Sequence, residues 1–481
     1  MNVSMSSMVG MALAAGVSLC ALAQDLTVKA PPQNRLILIK NATLHTVSGG
    51  VIENGTLVLN DGKIANVFTP DQFRAWQSVV LLQPPGPIEI DATGRHVYPG
   101  LMTGYSQIGL SEIDMIGATR DISETGDVTP ETRAIIAVNP DSAIIPVTRS
   151  NGVLLAATFP SSGAVSGQPA VIKLEGWTWE EMALSKSAGV VVQWPMMRPV
   201  TSRFVRTSES DQRKSIARQI EVIDGAFRGA MSYLALRAEQ PQTPTDLRYE
   251  AMRSVLPGRD ERGEPVAPSG RVFLMANDYD QIVAGVEWAV GLGLRPVVVG
   301  GLDAPLAAGL LKKHSVPVVI TGTHRFPKRD DGDYNEAFAL PAALHREGIL
   351  FCLSNADDTA HERNLAYSAG IAVAHGLPPE AAIRALTLDA ATIFGVADRV
   401  GSLEAGKDAT LIITDGSPLE IPTRVLDAFI DGRRIDLSNK QTKLYEKYQE
   451  RFRQTGDLKT GDPQPGAAHQ PAEAPALEPA R

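Results

Sequence analysis

Arg271-Val272-Phe273-Leu274-Met275, Pro296-Val297-Val298-Val299, Val316-Pro317-Val318-Val319-Ile320 and Ile349-Leu350-Phe351-Cys352-Leu353 are four apolar runs, each followed by a helical stretch. Short runs rich in β-branched residues read as strands. Strands alternating with helices predict parallel βαβ units, and unbroken apolar runs predict burial on both faces. The alternation reaches upstream. Val153-Leu154-Leu155-Ala156-Ala157 follows a stop at Asn151-Gly152. Gly189-Val190-Val191-Val192-Gln193 comes next, and then a long helical stretch from about Asp211 to Leu236. The pattern lasts about 300 residues, from Val97 to Gly395, which suits an eight-stranded (β/α)8 TIM-type barrel better than an open sheet.

Both flanks have a different texture. Leu36-Ile37-Leu38-Ile39, Thr56-Leu57-Val58-Leu59 and Lys63-Ile64-Ala65-Asn66-Val67 read as short strands, with a hairpin turn at Asn60-Asp61-Gly62. The style returns at Ala409-Thr410-Leu411-Ile412-Ile413 and Val425-Leu426-Asp427-Ala428-Phe429-Ile430, which runs into Asp431-Gly432. The expected layout is a composite β-sandwich from residues 24–95 and 396–440, with the barrel at 96–395 between its halves. A C-terminal helix over 441–455 and a disordered tail over 456–481, rich in Pro, Ala and Glu, complete the layout.

The 481 residues suffice for one large domain and a smaller one. Hydrophobic residues make up 44% and charged residues 21%, as in a globular protein with a core. The formal charge of −9 argues against a nucleic-acid partner. Two cysteines exclude a disulfide framework and a cysteine-rich zinc site. The apolar run Met8 to Ala23 ends in Ala21-Leu22-Ala23, so residues 1–23 read as a cleaved secretory signal, although the segment before the run lacks Lys and Arg. The expected location is therefore periplasmic or secreted, with no membrane span after cleavage and with Cys352 as the lone cysteine.

Four segments carry a family resemblance. Val97-Tyr98-Pro99-Gly100-Leu101-Met102 resembles the opening of the barrel in the amidohydrolase superfamily. Ser166-Gly167-Gln168-Pro169-Ala170-Val171-Ile172-Lys173-Leu174 is similar to a loop of its secreted imidazolonepropionase-like branch. Ala385-Leu386-Thr387-Leu388-Asp389-Ala390-Ala391 and Val400-Gly401-Ser402-Leu403-Glu404-Ala405-Gly406-Lys407-Asp408-Ala409-Thr410-Leu411 resemble its closing segments. The resemblance spans residues 35–437. It implies hydrolysis of carbon–nitrogen bonds in amides or cyclic amides, with zinc or another divalent metal lowering the pKa of bound water to ~7. It also implies ligands at the C-terminal ends of strands: an HxH pair on the first, single histidines on two middle strands and an aspartate on the last.

At those places the sequence offers Tyr105 and Gln107 on the first strand, Asn277 and Gly300 on middle strands, and Asn355 on the last; no H-x-H occurs anywhere. Zinc sites use thiolate, neutral imidazole and carboxylate, and these residues supply none of them. No metal is expected, and the leading expectation is a catalytically impaired protein or a pseudoenzyme scaffold, alone or paired with an active paralogue. An active hydrolase with a relocated or metal-free site stays open, with His324, Asp357, Asp358 and His361 as its members and Lys173 as a contact for a substrate carboxylate. A periplasmic small-molecule binding protein is the third reading. The acidic loop with Glu112, Asp114, Asp121, Glu124 and Asp127 would draw cations to the mouth, or is simply solvated.

Overall fold

The computed structural model describes residues 24–25, 27–79, 86–202, 204–259, 264–355 and 359–456. The expected signal segment and the tail beyond Gly456 lie outside them. The N-terminal part builds β1 (Ile37–His45), β2 (Val51–Asn60) and β3 (Lys63–Phe68), then β4 (Ile88–Asp91) and β5 (His96–Pro99). Asp61 and Gly62 turn β2 into β3 with φ of 50° and 75°, the left-handed values that suit a two-residue hairpin.

One residue after β5 the chain enters β6 (Leu101–Ser106), which pairs in parallel with β7 (Val153–Thr158). Next come β8 (Val165–Gly167), β9 (Ala170–Lys173), β10 (Ala183–Ser185) and β11 (Gly189–Gln193). The helix Glu209–Glu239 and a small hairpin of β12 (Gly258–Arg259) and β13 (Pro265–Val266) follow. Then β14 (Arg271–Ala276), β15 (Pro296–Gly300), β16 (Val318–Ile320) and β17 (Phe351–Leu353) extend β11 as one parallel series. The ring closes where β17 lies against β6.

Among the described residues, seven of these strands are parallel, not eight. The remaining place is taken by the β8–β9 segment, where β9 runs antiparallel to β7 and β8 antiparallel to β11. The chain has already reversed by Val165, which stands opposite Val192; Gly167 ends β8 with φ of 111°, and a Cβ there would stand 2.5 Å from the Thr132 carbonyl oxygen, so only glycine fits.

Alternation sets the two faces. Val297, Val299, Val319 and Cys352 point into the ring, while Val298, Val318, Phe351 and Leu353 pack under the outer helices. Both faces are apolar, so the strands read as unbroken hydrophobic runs.

The chain returns to the first sheet through β18 (Leu411–Thr414), β19 (Val425–Ile430) and β20 (Arg433–Arg434). The order is β20-β19-β18-β5-β1-β2-β3, with β4 also on β1. The order is hydrogen-bonded throughout, and it folds back so that the β2–β3 turn meets the return strands, where the Ala409 N–H donates to the Gly62 carbonyl at 2.8 Å. Its apolar cluster joins Ile39, Leu57, Val97, Leu411 and Phe429 from both ends of the chain. From Ser438 a separate unit begins, holding the helix Lys440–Thr455 behind an Asn439 cap. Among the described residues no helix is long and apolar enough to cross a membrane.

Candidate functional site

In a ring of parallel strands, chemistry sits where the strands end, because the loops there are free to carry it. Tyr105 stands near the end of β6, with its ring 4.8 Å from that of Phe159. Burial pushes its phenol pKa up, so the hydroxyl stays neutral. Gln107 is half-buried just past β6, and its carbonyl accepts from the N–H groups of Leu110 and Ser111.

Asn277 follows β14 and is exposed. Gly300 ends the neighbouring β15 with φ of 105°, and a Cβ there would lie 2.3 Å from Asn277 Oδ1. The carboxamide of Asn277 therefore fills the space that a side chain at position 300 would need.

Asn355, past β17, is buried and held on both sides. Its Nδ2 donates to the His361 carbonyl at 2.8 Å, and its Oδ1 accepts from Ser368 Oγ at 2.9 Å. Ser368 Oγ is also 3.4 Å from His324 Nδ1. Asn355, His324 and His361 thus share one patch, with Ser368 linking the first two. The His361 ring is exposed, and His324 stands edge-on to Phe338 at 5.7 Å. Asp357 and Asp358 lie outside the described residues. Lys173 is not part of this patch. It pairs with Asp431 in the β19–β20 turn, and its strand position faces Leu155, near the start of β7 rather than its end. Among the described residues, no three His, Cys, Asp or Glu side chains converge into a metal-binding group.

Two features of the ring were not visible in the sequence. The first fills the interior. Phe394, just after the helix Leu388–Ile393, stacks on Phe273 at 5.3 Å, and Phe159 meets both edge-on at 5.3 and 6.0 Å. Met102, Val299 and Cys352 join the same cluster. Burial pushes the Cys352 thiol well above its ordinary range, so it does not supply a thiolate.

The second is a charged cluster around a pocket of ~190 Å³ lined by Arg198, Asp278, Tyr279, Asp280, Asp303, Lys328 and Arg329. Asp303 is buried and accepts from Lys328, Arg329 and the Tyr279 N–H. Burial pushes its carboxyl pKa up, but those donors outweigh it and hold it below the ordinary 3.8. Asp278-Tyr279-Asp280 and Lys328-Arg329 were the available signal, but pairs of charges are too common to single out.

Residues 311–440 match the model of the amidohydrolase family. The solved amidohydrolase from Thermotoga maritima MSB8 superposes with a TM-score of 0.69 at 24% identity, covering 83% of this chain and 99% of that one. The chain has the amidohydrolase fold. Molinate hydrolase shares the fold more distantly, with a TM-score of 0.50 and 15% identity over 85% of this chain and 96% of its own. Among curated proteins, the amidohydrolase tasK of Hapsidospora irregularis is 22% identical over 382 residues, 73% of this chain. The amidohydrolase-fold chain spans only 37% of that relative's length.

Proposed function

We propose that this is an exported amidohydrolase-fold protein of the imidazolonepropionase-like branch in which metal-dependent hydrolysis of amides or cyclic amides has been lost. The retained fold then serves as a scaffold. It holds a small molecule at the mouth or pairs with an active paralogue or a second copy.

The observation that carries the reading is the chemistry of the residues at the strand ends. Amidohydrolase-type catalysis needs a divalent ion, and the residues here do not fit one. Tyr105 is a neutral phenol, Gln107 and Asn277 are amides, Gly300 has no side chain, and both ends of the Asn355 amide are already bonded. Zinc ligands must be thiolate, imidazole or carboxylate. The Phe159, Phe273 and Phe394 rings add a second obstacle, because they fill interior space with groups that cannot coordinate.

The test uses the chain from Gln24 onward, produced with added zinc and manganese and then dialysed. Metal is counted by mass spectrometry, and hydantoins, dihydropyrimidines and dipeptides are offered as substrates. The expected result is well under one metal equivalent and no turnover. One retained equivalent together with turnover overturns the proposal and favours the relocated site of His324, Asp357, Asp358 and His361. Export is tested by sequencing the N-terminus of the protein recovered from outside the cytoplasm, which should begin at Gln24.

A further inference from the structure

We propose that His45 and His96, in the sheet built from the chain ends, form a two-imidazole site for a divalent transition metal. The site is separate from the ring mouth, so it does not depend on the reading above.

β1 and β5 run parallel, with Thr43 opposite His96 and Leu44 opposite Val97. Leu44 and Val97 point into the apolar cluster of the sheet. Alternation therefore sends His45, His96 and Tyr98 together to the other face. There, His45 Nε2 and His96 Nδ1 are 3.0 Å apart. Two nitrogens that each lie ~2.0–2.1 Å from one tetrahedral ion stand about 3.4 Å apart, so a shift of a few tenths of an ångström opens the gap to bidentate spacing.

The pair is oriented before any ion arrives. The Tyr98 ring stacks on His45 at 4.1 Å with 10° between planes, which limits rotation of the imidazole. Both histidines are half-buried. Burial and the neighbouring His96 push the His45 pKa down to about 4, which keeps its ring neutral at ordinary pH. In its neutral form an imidazole carries one N–H and one lone pair. A tautomer shift sends the proton between the rings to an outer nitrogen, so both facing atoms present lone pairs and the pair loses no proton. Exposed Glu53 accepts from Thr43 Oγ1 at 2.8 Å and adds negative charge beside His45. It does not complete a three-ligand group, so water fills the remaining positions. A two-imidazole chelate should bind Cu²⁺ more tightly than Zn²⁺, following the usual order of divalent affinities.

The full chain is titrated with copper(II) chloride and read by calorimetry and electron paramagnetic resonance. One copper site with two imidazole nitrogens is expected. His45→Asn and His96→Asn should each weaken it at least ~100-fold, more than loss of a supporting residue alone tends to cost. If the spectrum of the unaltered protein shows no paired imidazole nitrogens, the proposal fails, whatever the variants do. It fails equally if the double variant binds copper as the parent does. Metal that persists in the double variant belongs elsewhere and bears on the ring mouth instead.

Discussion

Arg149 is 1% exposed, and its guanidinium donates to Glu175 and lies 3.9 Å from Asp25. Lys29 Nζ reaches Asp25 at 3.0 Å, and the Ala30 N–H donates to Glu175 at 2.8 Å. Two cations and two anions are thus balanced where water is excluded. Burial pushes the Asp25 carboxyl pKa up, but hydrogen bonds from Thr27 and Lys29 outweigh it and hold it below the ordinary 3.8. Removing one member leaves an uncompensated buried charge. Arg149→Met is expected to cost ~3–5 kcal/mol, read as a lower urea midpoint at unchanged slope. Arg149→Met with Glu175→Leu should recover much of that loss, since no lone charge then remains at that end. An equal or larger loss in the double variant would mean that packing, not charge balance, sets the cost. None of this cluster was legible in the sequence. Asp25 and Lys29 stand close to the expected cleavage point and look like ordinary surface charges. Their partner Arg149 is more than a hundred residues away, and no local pattern announces that encounter. The same distance hid the partner of Lys173, Asp431, 258 residues further on.

At the scale of the element, β14 to β17 were legible because their apolar runs are long enough to be buried on both faces. The helix Glu209–Glu239 matches the stretch read from about Asp211 to Leu236. Strand bounds shifted by one or two residues, since the apolar runs begin at Val316 and Ile349, ahead of the first ladder residues Val318 and Phe351. The need for glycine at 167 was not legible, because it depends on the Thr132 carbonyl, which arrives from a distant loop. The filled interior also escaped notice: Phe394 follows a helix, and nothing in its neighbours says that it enters the ring. Close packing inside the ring makes a specific prediction. A Cβ at Gly104 would sit 2.5 Å from Cys352 Sγ and 3.2 Å from Val319 Cγ1. Gly104→Val must therefore push β6 away from β16 and β17, at a cost of ~1–3 kcal/mol. Gly104→Val with Cys352→Ala should regain part of it by giving up the sulfur. Thermal melts of the two variants decide the matter: if they melt alike, β6 and β17 do not meet as closely as the structure has them.

At the scale of the molecule, the sheet is closed by strands more than 300 residues apart in sequence. β18 pairs antiparallel with β5, from Leu411 opposite Pro99 to Thr414 opposite His96. The Gly100 N–H, at the step from sheet into ring, donates to the Thr410 carbonyl at 3.0 Å. Ile412 and Ala428 from the same return strands sit in the large outer core of the ring. The C-terminal strands therefore finish both structures at once. Pairings this distant in sequence form late, after most of the chain has been ordered. A chain stopped at Asp398 would leave β5 with a bare edge and uncover Val97, Tyr98 and Leu44, a combination that invites intermolecular pairing. It is expected to aggregate and to show no cooperative near-ultraviolet melt. Co-production of residues 399–437 as a separate piece should restore solubility, because the strands need only the matching edge and not the peptide bond. If the shortened chain melts like the parent without that piece, the ring stands alone and the shared sheet is an ornament on it.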